Sequence, residues 1–176
     1  MKLFIALIAL GSLLFAGGFT LESNTLEGQL TKAEEFDGFG CKGKNMSPEL
    51  HWKNPPKGTK SFAITVYDPD APTGSGWWHW LVVNIPADVT KIASNASSTH
   101  TLPKGAVETM TDYSFSGFGG ACPPNGDGAH AYIFTVYALN TEKLDVNAQS
   151  NSALVGYQIN AHTIQKATIV SYYQRD

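Results

Sequence analysis

Three runs of apolar, β-branched and aromatic residues divide the chain: 61–67, 78–85 and 132–139. Pro and Gly bound each run, and this pattern predicts β-strands. Apolar residues occupy both alternating sets of positions, so we expect central strands that are covered on each face. The segments 69–76, 95–104 and 114–128 are rich in Gly, Pro, Ser and Asn and predict loops. A loop as long as 114–128 indicates a functional role.

The spacing of apolar residues changes only near the end of the chain. Leu154, Tyr157, Ala161 and Ile164 recur at helical spacing after Asn151-Ser152, a pair typical of a helix N-cap. Residues 168–173 then predict a last strand. Many strands with one late helix predict a mainly β fold, an antiparallel β-sandwich with a small C-terminal helical element.

The first residues have the pattern of a secretory signal peptide. Met1-Lys2 precedes an uncharged apolar run over 3–15, and the small residues Ala16-Gly17-Gly18 supply a cleavage site. We therefore expect a signal peptide at 1–18, a single domain at 19–176, and an exported bacterial protein, periplasmic or secreted. An uncleaved anchor is the alternative, although a spanning helix needs about 20 apolar residues and this run is shorter.

The charge balance excludes one class of partner. The chain has 12 basic and 15 acidic residues, a net charge of −3, and cleavage at residue 18 would remove only Lys2 among them. Nucleic-acid binding depends on a basic face, and none is visible, so nucleic acid is not an expected partner. No integral membrane segment is expected after cleavage.

Cys41 and Cys122 remain in the exported part of the chain. Two thiols in an oxidising compartment favour a disulfide between them. Two separately buried thiols are the alternative, because the sequence does not show that the sulfur atoms meet.

Two carboxylates end the first apolar run, in Asp68-Pro69-Asp70. Side chains two apart in an extended chain point the same way, so Asp68 and Asp70 are expected to line one wall together. The alternative is an Asx-type turn, in which the carboxylates accept only backbone N–H bonds.

Two histidines stand at loop-to-strand junctions. His79 is expected to share a face with Leu81, Val83 and Ile85, and His130 begins the third run with Tyr132 on its face. A nearby carboxylate raises the pKa of a histidine, and a protonated histidine donates from both nitrogens. With the Tyr132 hydroxyl, such donors suit a phosphate-type oxyanion. A satisfied core histidine is the alternative for His79.

These motifs resemble the phosphatidylethanolamine-binding proteins, also called Raf kinase inhibitor-like proteins. The resemblance lies in Asp68-Pro-Asp-Ala-Pro72, in Trp77-Trp78-His79 and in Gly128-Ala-His130 followed by Tyr132. Gly40-Cys-Lys-Gly-Lys-Asn-Met-Ser-Pro-Glu-Leu50, the Cys122-Pro-Pro loop and Phe134-Thr-Val-Tyr-Ala-Leu139 are similar to the bacterial YbhB/YbcL branch.

The resemblance implies a Greek-key β-sandwich with a surface pocket for phosphate, acetate or a phosphoethanolamine head group. It implies a binding protein without catalytic residues, cofactor or metal, which modulates a partner such as a kinase or protease. By position, the ligand-binding residues would be Asp68, Asp70, Trp77, His79, Pro124, His130 and Tyr132.

The sequence departs from the family at Ala131, where the family usually has Arg. Alternation turns residue 131 away from His130 and Tyr132, so the change is expected to affect the stability of the loop more than anion recognition.

Two other function classes stay open. A divalent metal held by Asp68, Asp70, His79 and His130 would make the protein a hydrolase, although a dedicated ligand spacing such as His-Glu-x-x-His is missing. A pure interaction protein with a vestigial pocket would keep its activity after Asp70→Ala and His130→Ala.

Overall fold

The computed structural model describes residues 17–175. The signal peptide expected at 1–18 therefore lies almost entirely outside the described residues. Within 17–175, no helix is both long enough and apolar enough to span a lipid bilayer.

The described chain folds into two antiparallel sheets and one helix. A three-stranded sheet has the order β1-β2-β5, and a five-stranded sheet has the order β6-β4-β3-β7-β8. The mainly β architecture with a C-terminal helical element is confirmed. In chain order the elements are β1 (Thr20–Glu22), β2 (Leu50–Lys53), β3 (Ser61–Asp68), β4 (Trp77–Pro86), β5 (Lys91–Ile92), β6 (Val107–Glu108), β7 (His130–Leu139), α1 (Ser152–His162) and β8 (Thr163–Tyr173).

The three predicted central strands are β3, β4 and β7, and each is covered on both faces as expected. One core cluster fills the space between the two sheets and includes Trp52 and Phe134. A second cluster lies on the opposite face of the five-stranded sheet, where Val155 and Ile159 of α1 pack against strand residues. The sheet is therefore a middle layer, which explains why its strands carry apolar side chains at almost every position.

The helix forms where it was predicted, but the apolar residues that indicated it are not the ones it buries. Asn151 is the N-cap, and its side chain accepts a hydrogen bond from the Leu154 backbone N–H. Leu154 and Tyr157, two of the apolar residues that recur at helical spacing in the sequence, are 43% and 69% exposed. The buried residues are Val155 and Ile159. The last strand is also longer than predicted, since β8 begins directly after α1.

The disulfide between Cys41 and Cys122 is confirmed. Its two Cα atoms are 6.0 Å apart and the sequence separation is 81 residues. Cys41 closes a turn in which its backbone N–H donates to the Gly38 carbonyl. The bridge thus ties the 38–41 turn to the start of the loop that leads into β7.

The pairing of the strands brings three of their ends to one edge of the five-stranded sheet. Asp68, the last residue of β3, pairs with Trp77, the first residue of β4. Tyr67 pairs with Ile133, so β7 begins at the same edge. Antiparallel neighbours alternate in direction, so the end of β3 meets the starts of both strands beside it.

Candidate functional site

A cavity of about 170 Å³ opens at this edge of the sheet. Since one water molecule takes about 30 Å³ of liquid, the cavity has room for a small polar group and a short substituent. Six of the seven ligand residues expected from the sequence line it, and Asp70 does not. The lining consists of Phe39, Asp68, Ala71, Pro72, Thr73, Trp77, His79, Tyr113, Cys122, Pro123, Pro124, His130 and Tyr132.

The expectation that Asp68 and Asp70 line one wall together is wrong, because β3 ends at Asp68. The Asp68 Oδ1 atom accepts hydrogen bonds from the backbone N–H groups of Asp70 and Ala71, at 2.8 and 3.1 Å. This Asx-type turn breaks the alternation of the extended chain. Asp70 is therefore exposed, and its Oδ2 atom accepts from the Ala131 N–H at 2.8 Å, which anchors the turn to β7.

His130 lies between two carboxylates. Its Nδ1 atom is 2.8 Å from Asp68 Oδ2, and its Nε2 atom is 3.3 Å from Asp127 Oδ2. Burial lowers the pKa of His130, but the hydrogen bonds and charges of Asp68 and then Asp127 outweigh it and raise the pKa above the ordinary 6.5. The expected link between a carboxylate partner and a raised pKa therefore holds for this histidine.

His79 reaches the cavity through a β-bulge. Val66 pairs with Trp80 and Tyr67 pairs with Trp78, so His79 has no opposite residue on β3. The imidazole consequently packs edge-on against Tyr132, with ring centroids 5.1 Å apart.

Because of this bulge, the face that the sequence predicted for His79 is wrong. Leu81 and Val83, expected beside His79, belong to the core cluster under α1. Ile85 belongs to the core between the sheets, because a second register shift lies between Phe62 and Ile64. A simple period of two therefore fails twice along β4.

The charge state of His79 differs from that of His130. Its Nδ1 atom lies 2.8 Å from the Gly119 carbonyl oxygen and 3.1 Å from that of Gly120, so Nδ1 carries a hydrogen and donates it. Burial lowers the pKa of His79, and the carbonyls and the Asp68 charge oppose this shift without reversing it. The expectation of two protonated histidines is thus wrong for His79, whose Nε2 atom remains available to the cavity as an acceptor.

The Gly119-Gly120 segment that holds His79 fits only as glycine. A Cβ on Gly119 would collide with the Tyr113 ring, and a Cβ on Gly120 would collide with the Glu34 carbonyl oxygen. The Gly119 N–H also donates to the His79 carbonyl at 2.8 Å. Sequence reasoning missed this pair, and the consecutive glycines within the long loop were the available signal.

Two residues that line the cavity each carry a buried donor without a hydrogen-bond acceptor among the described residues. These donors are the Trp77 indole N–H and the Tyr132 hydroxyl. Burial first, and then the nearby Asp68 carboxylate, raise the pKa of Tyr132, so its hydroxyl keeps the proton. The Asp68 charge acts on this hydroxyl without a hydrogen bond of normal geometry between them.

An aromatic wall forms one side of the cavity, and of its residues only Trp77 was predicted. Tyr113 is its centre, with ring centroids 4.3 Å from Phe36, 5.6 Å from Phe39 and 5.3 Å from Trp77. The Tyr113 hydroxyl donates to the Gly120 carbonyl at 2.8 Å, and burial raises its pKa. Among the others, only the position of Phe39 between two glycines was unusual enough to notice in the sequence.

Asp127 was also missed. It lies three residues before His130, between Gly126 and Gly128, and this spacing was the signal that could have identified it. Ala131 does not line the cavity, as the alternation of β7 predicts, and it pairs with Tyr172 on β8.

Three of the four side chains considered as metal ligands, Asp68, Asp70 and His130, are engaged elsewhere, and His79 has only Nε2 free. Both oxygens of Asp68 and both nitrogens of His130 have hydrogen-bond partners, and Asp70 points at a backbone N–H. In the part of the chain from 17 to 175, no group of three or more His, Cys, Asp or Glu side chains is arranged to hold a metal ion. Residues 17–175 thus provide no support for the metal-dependent hydrolase.

A family model described as phosphatidylethanolamine-binding protein matches residues 23–174. The chain belongs to this family. The two packed antiparallel sheets agree with this membership.

Two Escherichia coli K12 relatives show which branch of the phosphatidylethanolamine-binding proteins the chain resembles. It is 54% identical to the UPF0098 protein YbcL over 163 residues, 90% of this chain and 89% of that protein. It is 47% identical to the UPF0098 protein YbhB over 139 residues, 78% of this chain and 87% of that protein.

Solved structures agree with this placement. The crystal structure of E. coli YbcL matches with a TM-score of 0.88, covering 90% of this chain and 99% of that one. A phosphatidylethanolamine-binding protein homologue from Chlamydia trachomatis matches with a TM-score of 0.74 at 26% identity, covering 90% of this chain and 98% of that one.

Proposed function

We propose that this protein is a non-enzymatic binding protein whose cavity takes a phosphate-type oxyanion. The observation that carries the proposal is the pair of buried donors, Trp77 N–H and Tyr132 O–H, without acceptors among the described residues. A buried donor without a partner costs about 1–3 kcal/mol, so buried polar groups are nearly always paired. An oxyanion in the cavity would supply the missing acceptor oxygens.

The two histidines suit a hydrogen-phosphate group in different ways. The raised pKa of His130 favours a positive charge at the cavity wall. The Nε2 atom of neutral His79 accepts a hydrogen bond and so suits the hydroxyl of a monohydrogen or dihydrogen phosphate. A phosphate monoester such as a phosphoethanolamine head group presents the same oxygens, and the aromatic wall around Tyr113 would contact its substituent.

The absence of catalysis is part of the proposal, and it rests on how the reactive groups are used. Cys122 is in a disulfide, so it offers no thiolate to the cavity. His79 Nδ1 is held by carbonyls, and Asp68 is held by its turn and by His130. No nucleophile with an adjacent free base is thus assembled from these groups, and a binding role needs none.

Export and a protein partner complete the proposal. The disulfide is the kind of bond that persists in the periplasm or outside the cell, which supports the signal peptide expected at 1–18. A partner such as a kinase or protease would be modulated through the loops around the cavity. His130→Ala would then change the effect on the partner, whereas a vestigial pocket predicts no change.

Isothermal titration calorimetry with inorganic phosphate tests the binding function. We expect one site per chain and about tenfold or more weaker binding in Tyr132→Phe and in Trp77→Phe, because a hydrogen bond to a charged group contributes about 1.5–3 kcal/mol. Tyr157→Phe is the matched control, since Tyr157 lies on α1 and is 69% exposed. Absence of phosphate binding, or equal binding by Tyr132→Phe, would contradict the proposal.

The same titrations at several pH values test the charge of the site. Affinity is expected to fall as pH rises through the raised pKa of His130, because the imidazole loses its positive charge. Sulfate keeps a constant charge in this range and separates the titration of the protein from that of phosphate. Constant sulfate affinity between about pH 5 and 8 would count against the role given to His130.

A further inference from the structure

Both ring nitrogens of His130 have a carboxylate partner, but the two carboxylates are not held equally firmly. The Nδ1 partner Asp68 is only 3% exposed and is fixed by two backbone N–H groups, so that pair cannot open without breaking the turn. The Nε2 partner Asp127 lies 3.3 Å away, with a side chain that is 44% exposed. An anion that binds His130 must therefore take the place of the Asp127 carboxylate.

The backbone around Asp127 allows this exchange. Gly126 and Gly128 flank it with φ angles of 79° and 88°, and open space surrounds the position of a Cβ on either glycine. The nearby backbone hydrogen bonds are long, 3.3 Å from the Asp127 N–H to Pro124 and 3.4 Å from the Gly126 N–H to Arg175. Glycines accept both signs of φ, so the segment between them can rotate the carboxylate away.

The two ends of this segment are held in place. Cys122 is tied to Cys41 by the disulfide, and His130 begins β7, where it pairs with Tyr173 of β8. Movement of the loop is therefore confined to the few residues around Asp127. The cavity wall at Pro124 and the imidazole of His130 can keep their positions while the carboxylate leaves.

We propose that Asp127 is a built-in competitor of the anionic ligand: its carboxylate occupies the His130 Nε2–H donor, and ligand binding displaces it. The inference rests on the proposed anion-binding function. It adds a residue that sets the anion concentration at which the cavity becomes occupied. Displacement subtracts the same free energy from the binding of every anion. Weak, abundant anions are thereby left unbound at concentrations where a better ligand occupies the cavity.

Three variants test the inference by calorimetry with inorganic phosphate at about pH 6, where His130 stays protonated beside Asp68. Asp127→Ala removes the competing acceptor, and Asp127→Asn removes its charge but keeps a weaker acceptor. Asp88→Asn is the matched control, because it removes one exposed negative charge in the turn after β4, at the end of that strand opposite Trp77. Circular dichroism confirms that each variant is folded.

We expect Asp127→Ala to bind phosphate about three- to fivefold tighter than the wild type, the range that loss of a half-exposed ion pair allows. Asp127→Asn should show a smaller gain, and Asp88→Asn no change. Phosphate binding by the Asp127 variants alone would support the inference and the anion-binding function together.

Two other outcomes would overturn the inference, and they can be distinguished. Wild-type binding with equal or weaker binding in both Asp127 variants would show that Asp127 supports the site or is irrelevant to it, and anion binding itself would stand. Failure of the wild type and of both variants to bind phosphate would overturn the anion-binding function and the inference with it.

Discussion

Asp68 and two glycine carbonyls give the histidines of the cavity opposite electrostatic environments. One Asp68 oxygen accepts from the backbone of its own turn, and the other lies 2.8 Å from His130 Nδ1. His79 faces the carbonyls of Gly119 and Gly120, which hold its Nδ1 hydrogen without adding a full negative charge. Burial lowers the pKa of His79 in spite of these carbonyls, whereas Asp68 raises the pKa of His130, so the cavity has a neutral acceptor on one wall and a cationic donor on another.

Proton NMR titration of the imidazole signals tests these charge states. We expect His130 to titrate above its ordinary value of 6.5 and His79 below it. Asp68→Asn keeps an oxygen for the turn but removes the charge, so it should lower the pKa of His130. Titration of His79 above His130 would contradict the assignment.

The pH dependence of stability follows with opposite signs for the two residues. Because the folded pKa of His130 is raised, its stabilising contribution is complete below about pH 6.5 and is lost as pH rises through the folded pKa. Because the folded pKa of His79 is lowered, the unfolded state gains a proton first on acidification, and His79 opposes folding below about pH 6.5.

The sequence alone indicated the residue types of the site but not their partners. Asp68, His79 and His130 could be identified because each stands where a strand meets a loop. Asp70 was placed in the cavity by extending the strand alternation past Asp68, where the side chain itself starts a turn. Such turns depend on a local hydrogen bond that competes with the extended chain, and both alternatives fit the same sequence.

At the scale of elements, strands were easier to predict than their irregularities. Continuous apolar runs identified β3, β4 and β7, because a strand in a middle layer needs apolar residues on both faces. The bulge at His79 had no signal, since residues 77–80 contain neither Gly nor Pro. Contacts with the 119–120 segment, far along the chain, hold that bulge in place.

The buried face of α1 was also not predictable from the sequence alone. The helix has 11 residues, with apolar side chains on more than one side. Leu154 and Tyr157 match helical spacing as well as Val155 and Ile159 do, and only packing against the sheet decides between the two faces. Tertiary contacts therefore determine the orientation of this short helix, and its own periodicity does not.

Two glycine substitutions test the stability of α1 and the packing of the 119–120 segment. Gly156→Ala in α1 should stabilise the protein by up to about 1 kcal/mol, because alanine is the better helix former and its Cβ meets open space. Gly120→Ala should destabilise it by about 1–3 kcal/mol, because its Cβ would collide with the backbone at Glu34. Urea denaturation measures both. Equal effects of the two substitutions would contradict the packing described for the 119–120 segment.

For the whole molecule, the strand topology brings the cavity residues together, and the loops border the cavity. Three strand ends meet at one edge of the five-stranded sheet, and the disulfide joins two loops that border the opening. The sandwich, its late helix and the disulfide could be predicted because they depend on composition, periodicity and compartment. The aromatic wall around Tyr113 could not, because it combines residues from separate loops.

The disulfide should contribute to both stability and ligand affinity. In the chain-entropy account, a bridge across 81 residues stabilises the folded state by about 4 kcal/mol, with native strain and residual structure reducing that figure. The double variant Cys41→Ser/Cys122→Ser should unfold at lower denaturant concentration than the oxidised wild type. Reductant should lower the wild-type midpoint toward that of the variant and leave the variant unchanged.

Phosphate affinity of the same double variant tests whether the bridge also shapes the cavity. Phe39 precedes Cys41, and Pro124 follows Cys122, so each side of the bridge carries a cavity-lining residue. Without the bond, the two loops gain freedom that ligand binding must remove, and weaker phosphate binding is expected even under conditions where the variant is fully folded. Unchanged affinity in a folded variant would show that the strand ends alone position the ligand.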